Sequence, residues 1–182
     1  MADPIDELLE ELRIPIEKAK NGDQKALELL IEKMQNRIFR YLFFLCGSQE
    51  LTQDLTQETF IKMIQSIHHL KEPQAFISWI YTIAKRTLIS HKRKNWLSFL
   101  PLFDKETLEL SNSDNETSEL ALSITQTLTS LNEKERDLII LVDIEGFSYV
   151  EACKVLGISM AALKSRIHRA RQAFEVEWNR SK

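Results

Sequence analysis

Four side chains near the carboxyl end, Lys164, Ser165, His168 and Arg169, carry the most chemistry for their spacing. At about 100° per residue of helix they share one face with Ala161 and Gln172, opposite a stripe of Leu163, Ile167, Ala170 and Phe174. Short polar side chains flanked by cations can approach base edges closely and hold phosphate oxygens, which is reversible recognition and not covalent chemistry. An ordinary amphipathic helix with a solvated basic face shows the same stripe, so the preceding residues decide. A second basic group, Lys85, Arg86, Lys92, Arg93 and Lys94, closes another helical stretch. Cations complement a helix dipole at that end. Five of them, with aromatic residues upstream, exceed that need.

The first face requires a fixed helix. Ser148 and Glu151 have the spacing of a capping box, which predicts a helix over Tyr149 to Leu156. Gly157 follows where the chain must leave that helix with positive φ, open to glycine without steric cost. Ser159 can cap a second helix from Met160 towards Trp178. Two helices joined by a tight Gly-containing turn describe a helix-turn-helix, whose second helix enters the major groove of DNA.

The chain has 182 residues, 43% of them apolar, which fits one or two globular domains and excludes wholesale disorder. Glycine and proline number four each, and amphipathic stretches dominate, so the expectation is all-helical. A net charge of −3 does not announce nucleic acid; the two local basic patches do. Cys46 and Cys153 belong to different halves, each on an apolar face, and read as buried reduced thiols. Adjacent His68 and His69 have no further ligand at metal spacing, so no metal is expected. No triad, phosphate-binding glycine loop or cofactor motif occurs, so neither catalysis nor a small-molecule substrate is expected. Acidic residues open the chain where a secretory signal would be basic, and apolar runs are too short to span a membrane, which places the protein in the cytoplasm.

In chain order, residues 1–20 predict a short acidic helix interrupted by Pro15 and frayed. Asp23 can cap a helix from Gln24 to Cys46, ended by Gly47-Ser48. A third helix spans about Glu50 to Ile67. Leu51, Leu55, Thr59 and Met63 line one flank, and Phe60, Ile64 and Ile67 widen it. Asp54, Gln57, Glu58 and Ile61 point the other way. His68 to Gln74 breaks the pattern, and a helix from about Gln74 to Asn95 follows, with Phe76, Trp79, Ile80, Ile83, Leu88 and Ile89 as bulk. From Trp96 to Ser118 the periodicity fails, and the small, polar Ser111 to Glu116 reads as linker. Helix returns from Ser118 to Leu128, and Asn132 with Glu135 opens another through Val142.

Two stretches together resemble one family. LNEKERDLIILVDIEGFSYVEACKVLGISMAALKSRIHRARQAF resembles domain four of bacterial sigma factors. QDLTQETFIKMIQSIHH with AFISWIYTIAKRTLISHKRK resembles sigma domain two. The order, and the absence of a third domain, resemble the extracytoplasmic-function group. The resemblance implies domain two over 1–97, a flexible linker over 98–118 and domain four over 119–182. It implies that Asp54, Gln57, Glu58 and Ile61 dock on the clamp helices of the largest subunit of core RNA polymerase. It implies that the loop bearing His68, His69 and Lys71 receives an unstacked base of the minus-ten element. Trp79, Lys85, Arg86, His91 and Arg93 would serve minus-ten recognition and melting, with pockets and aromatics taking splayed bases while cations hold phosphates. Lys164, Ser165, His168 and Arg169 would read the minus-thirty-five element, and Arg171 would touch the DNA backbone. An anti-sigma factor, often membrane-attached, is implied as a partner. The chain departs from the family's usual residues at Gln53, Arg86, Ser90, Cys153 and Ala162; Arg86 and Ser90 bear on the detail of minus-ten reading.

The resulting expectation is an all-α, two-domain protein that directs core polymerase to promoter DNA. Two other readings stay open on the residues: a free-standing dimeric regulator that binds its operator without polymerase, and an adaptor whose helices sequester a protein partner. An enzyme is a distant third.

Overall fold

The computed structural model describes the backbone of residues 4–94 and 115–180 and the side chains of 5–94 and 123–180. Every regular element among them is helical. In order they are α1 (Pro4–Lys20), α2 (Gln24–Cys46), α3 (Gln49–Ser66), α4 (Phe76–Lys94), α5 (Asn115–Ser130), α6 (Glu133–Ile139), α7 (Tyr149–Leu156) and α8 (Met160–Arg180). Two 3-10 turns, Ile67–His69 and Pro73–Ala75, link α3 to α4. Trp96, and the expected linker up to residue 114, lie outside the described residues.

The caps read from the sequence are present. Asp23 accepts from the Ala26 amide, and Gly47 ends α2 at φ 70°. Asn132 caps α6 as read, and Ser48, expected only as the end of α2, also caps α3. Helix α5 begins at Asn115, three residues before the expected Ser118, so the end of the polar segment is helical.

Helix α1 corrects the expectation of a frayed, interrupted segment. It runs unbroken through Pro15. Ile5, Leu12, Ile16 and Ala19 are buried at spacings of seven, four and three, one helical stripe. That stripe packs on α2, α4 and the two 3-10 turns, so tertiary burial holds a helix that a proline alone would weaken. The third helix corrects a second point. Thr52 and Thr56 complete the buried flank with Leu55, Thr59, Phe60 and Met63, whereas Ile64 faces solvent at 42% exposure. Ile89 of α4, also expected as core, is 42% exposed. Cys46 is buried, but Cys153 is only partly so.

The helix begun at Glu133 does not continue as α to Val142. It widens at Ile140–Ile144 into one π turn. The Glu145 amide bonds back to the Ile140 carbonyl at 2.8 Å, and Phe147 to Leu141 at 2.9 Å. Turns of this kind reorient the residues that follow. Here the carboxylate of Glu145 ends fully enclosed, with Phe147 beside it in the core.

The two halves meet around these residues. Tyr41 of α2 and Tyr81 of α4 lie 5.0 Å apart, and Phe147 meets Tyr81 edge-on at 4.8 Å. Aromatic pairs at such separations add to the burial of their faces. Their hydroxyls need partners inside, and both find carboxylates of the second half. Tyr41 donates to Asp137 at 2.9 Å, and Tyr81 to Glu145 at 2.6 Å. Burial, helped by the neighbouring carboxylates, pushes both phenols well above their ordinary pKa.

Candidate nucleic-acid interface

The helix-turn-helix is built as its residues dictate. The Ser148 oxygen accepts from the Glu151 amide while the Glu151 carboxylate accepts from the Ser148 amide, closing the capping box. Gly157 leaves α7 at φ 64°. The Ala162 amide bonds to the Ser159 oxygen at 3.3 Å, starting α8. Leu163, Ile167 and Ala170 are buried, and Phe174 is half-buried. Lys164, Ser165, His168 and Arg169 are all exposed, as a groove-reading face requires. Arg171 is different. Its guanidinium is paired to Asp143 at 2.6 and 3.2 Å, so it is tied to the domain's own surface. Arg166 is half-buried in a cleft of about 320 Å³ that it shares with Lys85, Ile89, Lys134 and Asp137.

Helix α4 divides the expected minus-ten set. At about 100° per residue, Trp79, Arg86 and Arg93 fall on one stripe. Arg86 and Arg93 are exposed, while Trp79 is half-buried against Phe76, with 6.2 Å between rings. Lys85, Ile89 and Lys92 form a neighbouring stripe that turns to the second half. Lys85 donates to the Asp137 carboxylate, and Lys92 to Glu133 at 2.7 Å. His91 lies on a third side and is half-buried. The five residues therefore do not share one face, and Lys85 is engaged away from solvent. On the preceding turn His68, His69 and Lys71 are exposed, with the imidazole rings 3.8 Å apart. Among the described residues no group of three His, Cys, Asp or Glu could hold a metal ion.

The third patch is the outer face of α3. Asp54, Gln57, Glu58 and Ile61 are all exposed, with Glu58 paired to Lys62 at 2.7 Å. Ile61 is 54% exposed, and Ile64 lies one turn on beside it. Two isoleucines among carboxylates give this face an apolar centre and a polar surround. Sequence reasoning placed Ile64 in the core; its angle on the helical wheel, close to Gln57 and Ile61, was the available signal. The opposite flank of α3 packs on α2 and α4.

Around Asp137 the charges are enclosed. Burial pushes this carboxyl above the ordinary range, against the opposing pull of Lys85 and Tyr41. The adjacent Arg136 is buried too and spends its guanidinium on carbonyls, those of Leu128, Thr129 and Leu131 at 2.8, 2.8 and 3.0 Å. Of these enclosed groups only Lys85 is expected as functional from the sequence; Asp137 and Arg136 are not. No helix among the described residues is long and apolar enough to cross a membrane.

Comparison with known proteins matches residues 30–98 to the Sigma-70 region 2 family and residues 121–174 to the Sigma-70, region 4 family. The chain is 32% identical over 160 residues to the ECF RNA polymerase sigma factor SigE of Mycolicibacterium smegmatis. That match covers 83% of this chain and 62% of the relative, so the chain spans less than two thirds of that protein. It is 30% identical over 173 residues to the RNA polymerase sigma-H factor of Pseudomonas aeruginosa, covering 88% of this chain and 90% of that factor. The fold matches the solved complex of the sigma factor RpoE with the anti-sigma factor NepR from Bartonella quintana. The TM-score is 0.71 at 20% identity, covering 85% of this chain and 98% of that one.

Proposed function

The chain belongs to the sigma-70 family of RNA polymerase sigma factors, in its extracytoplasmic-function group, and from that premise we propose how its surfaces share the work of initiation. Proteins of this family are regulatory initiation factors and not enzymes; they direct polymerase to specific promoters. Residues 1–97 act as domain two and 119–182 as domain four. The outer face of α3 docks on the clamp helices of core polymerase through Asp54, Gln57, Glu58 and Ile61, extended by Ile64. Trp79, Arg86 and Arg93, with the loop of His68, His69 and Lys71, engage the minus-ten strand. Lys164, Ser165, His168 and Arg169 read the minus-thirty-five element in the major groove. The Asp143 pair supports a lesser role for Arg171, since that pair must loosen before phosphate is gripped. An anti-sigma factor is the natural antagonist, by analogy with NepR on its sigma factor. The protein works in the cytoplasm, where the polymerase is.

One observation carries the docking assignment: Ile61 stands 54% exposed beside Asp54, Gln57 and Glu58, all of them open to solvent among the described residues. The experiment is reconstitution with core polymerase on a promoter library. We expect specific initiation with the parent chain, and at least a tenfold loss of core binding when Asp54→Lys and Glu58→Lys are combined. Surface changes of this type cost roughly 0.5 kcal/mol or less in stability, so folding is retained. A folded double variant that captures core as well as the parent does overturns the docking face. Tight, sequence-specific duplex binding by a purified dimer without polymerase would favour the free-standing regulator.

A further inference from the structure

The two halves are joined by charge as well as by apolar packing. Glu145, with its side chain fully enclosed, accepts from Arg37 at 3.3 Å, from Arg40 at 3.0 and 2.6 Å, and from Tyr81 at 2.6 Å. Asp137, with its side chain 3% exposed, accepts from Tyr41 and Lys85. All five donors belong to α2 and α4, and both acceptors to the second half. A buried carboxylate stripped of its donors is strongly disfavoured. These two therefore specify one arrangement of the halves over any other. In that arrangement Lys85 and Lys92 of α4 are drawn to carboxylates of α6, and Ile89 between them lines the cleft with one side still open to solvent.

We propose that Glu145 and Asp137 form an interdomain latch that holds the free protein closed and masks Lys85 from single-stranded DNA. Opening transfers Lys85 from the Asp137 carboxylate to a DNA phosphate and leaves the two acids to water. The exchange is feasible because a buried ion pair contributes little net stability: the desolvation it requires is close to what the pairing returns. DNA and polymerase, which add new partners on opening, then shift the equilibrium by mass action. The masking step rests on the reading of α4 as a DNA-binding helix; the latch itself does not.

Arg37 and Arg40 are the places to test it, because they are partly exposed and belong to none of the proposed DNA or polymerase faces. Arg37→Gln combined with Arg40→Gln removes both cations from Glu145. Small-angle scattering then reads the latch directly. The closed parent should give a radius of gyration of about 16 Å, the value for a compact chain of this length, and the variant should expand by several ångströms. Anisotropy of a fluorescein-labelled deoxythymidine 15-mer reads the masking. The variant should bind at least threefold tighter than the parent, and adding Lys85→Gln should remove that gain. If the variant does not fold by circular dichroism, the parent alone suffices. Zero-length carbodiimide coupling should join Lys92 to Glu133, and the coupled monomer should bind the oligonucleotide at least fivefold more weakly. An unexpanded, folded double variant, or no Lys92–Glu133 product, overturns the latch. Expansion without a gain in affinity overturns the masking. If open and closed forms both fail to bind the oligonucleotide, even with core polymerase present, the reading of α4 fails while the scattering result still stands.

Discussion

Arg136 offers the sharpest test of how the second half is held together. Helix α5 ends at Ser130, so its last carbonyls have no amide four residues on. The Leu131 amide reaches back to the Leu128 oxygen at 3.2 Å, and Arg136, from the next helix, adds donors there, at Thr129 and at Leu131 just past the helix. Its Nε reaches the Leu128 oxygen at 2.8 Å, and Nη2 reaches those of Thr129 and Leu131 at 2.8 and 3.0 Å. Nη1 crosses to the Phe44 oxygen of α2 at 3.4 Å. Leu128 and Leu131 are buried, so water has little access to replace the guanidinium. Burial also lowers the pKa of Arg136 from its ordinary value, yet a guanidinium starts so high that it stays charged at neutral pH.

A hydrogen bond to a charged group contributes roughly 1.5–3 kcal/mol. Three short ones, if additive, would total roughly 4.5–9 kcal/mol, against about 3–5 kcal/mol found when one partner of a buried charged pair is deleted. The lower range applies, because the bonds share one guanidinium and are not additive. Arg136→Met keeps much of the stem volume and removes every donor, so it isolates the hydrogen bonds from packing. Its expected loss is about 3–5 kcal/mol, which at about 2–4 °C per kcal/mol lowers the melting midpoint by roughly 6–20 °C. Urea unfolding followed by far-UV circular dichroism gives the free energy, and Arg136→Lys should recover only part of it. A folded Arg136→Met within about 1 kcal/mol of the parent would refute the claim that this side chain terminates α5.

Three further outcomes follow from local features. Gly157 sits at φ +64° with no atom within 4 Å of where a Cβ would stand, so Gly157→Ala meets backbone strain alone. It should cost about 1 kcal/mol, and a loss above about 3 kcal/mol by urea titration would contradict the open geometry. Cys46 is buried, bonded to the Leu42 carbonyl at 2.9 Å, and burial pushes its thiol pKa up; Cys153 is half-buried and unpaired. Iodoacetamide at neutral pH should label Cys153 first and Cys46 only on unfolding, as peptide mass mapping would show. Asp137 titrates above an ordinary aspartate because burial outweighs Lys85 and Tyr41, with Glu133 adding a small upward push. The folded chain therefore holds this proton longer than the unfolded chain. Its contribution to stability is greatest below the ordinary aspartate pKa and falls as pH rises through the folded value. The stability difference between the parent and Asp137→Asn should thus shrink as pH rises from about 4; a difference that grows over that range would refute the sign.

The sequence disclosed what is periodic or local. Ser148 with Glu151, Gly157 and the Leu163–Ile167–Ala170 stripe each need only a few neighbouring residues, and the structure places all of them as read. Helix α1 is not legible from Pro15 alone. The Ile5–Leu12–Ile16–Ala19 stripe gains its stability from partners elsewhere in the chain. Ile64 and Ile89 differ for a related reason: apolar character does not ensure burial, and both stand 42% exposed.

The polar joint between the halves was illegible for a deeper reason. Glu145 lies 105 residues from Arg40, and Asp137 lies 96 from Tyr41. No spacing rule of a single helix spans such distances. Both acids also sit where a charged residue ordinarily marks a solvated face. The π turn at Ile140–Ile144 then shifts the register, so a wheel of 3.6 residues per turn misplaces Glu145 even after the helix is correctly found. Energy points the same way. Apolar stripes dominate stability and must recur to build a core, so they leave a pattern. A buried carboxylate adds little net stability and instead selects one docking among several. Selection needs only one residue at one place. Glu145 and Asp137 each meet their donors once, and a residue that acts once has no period to read.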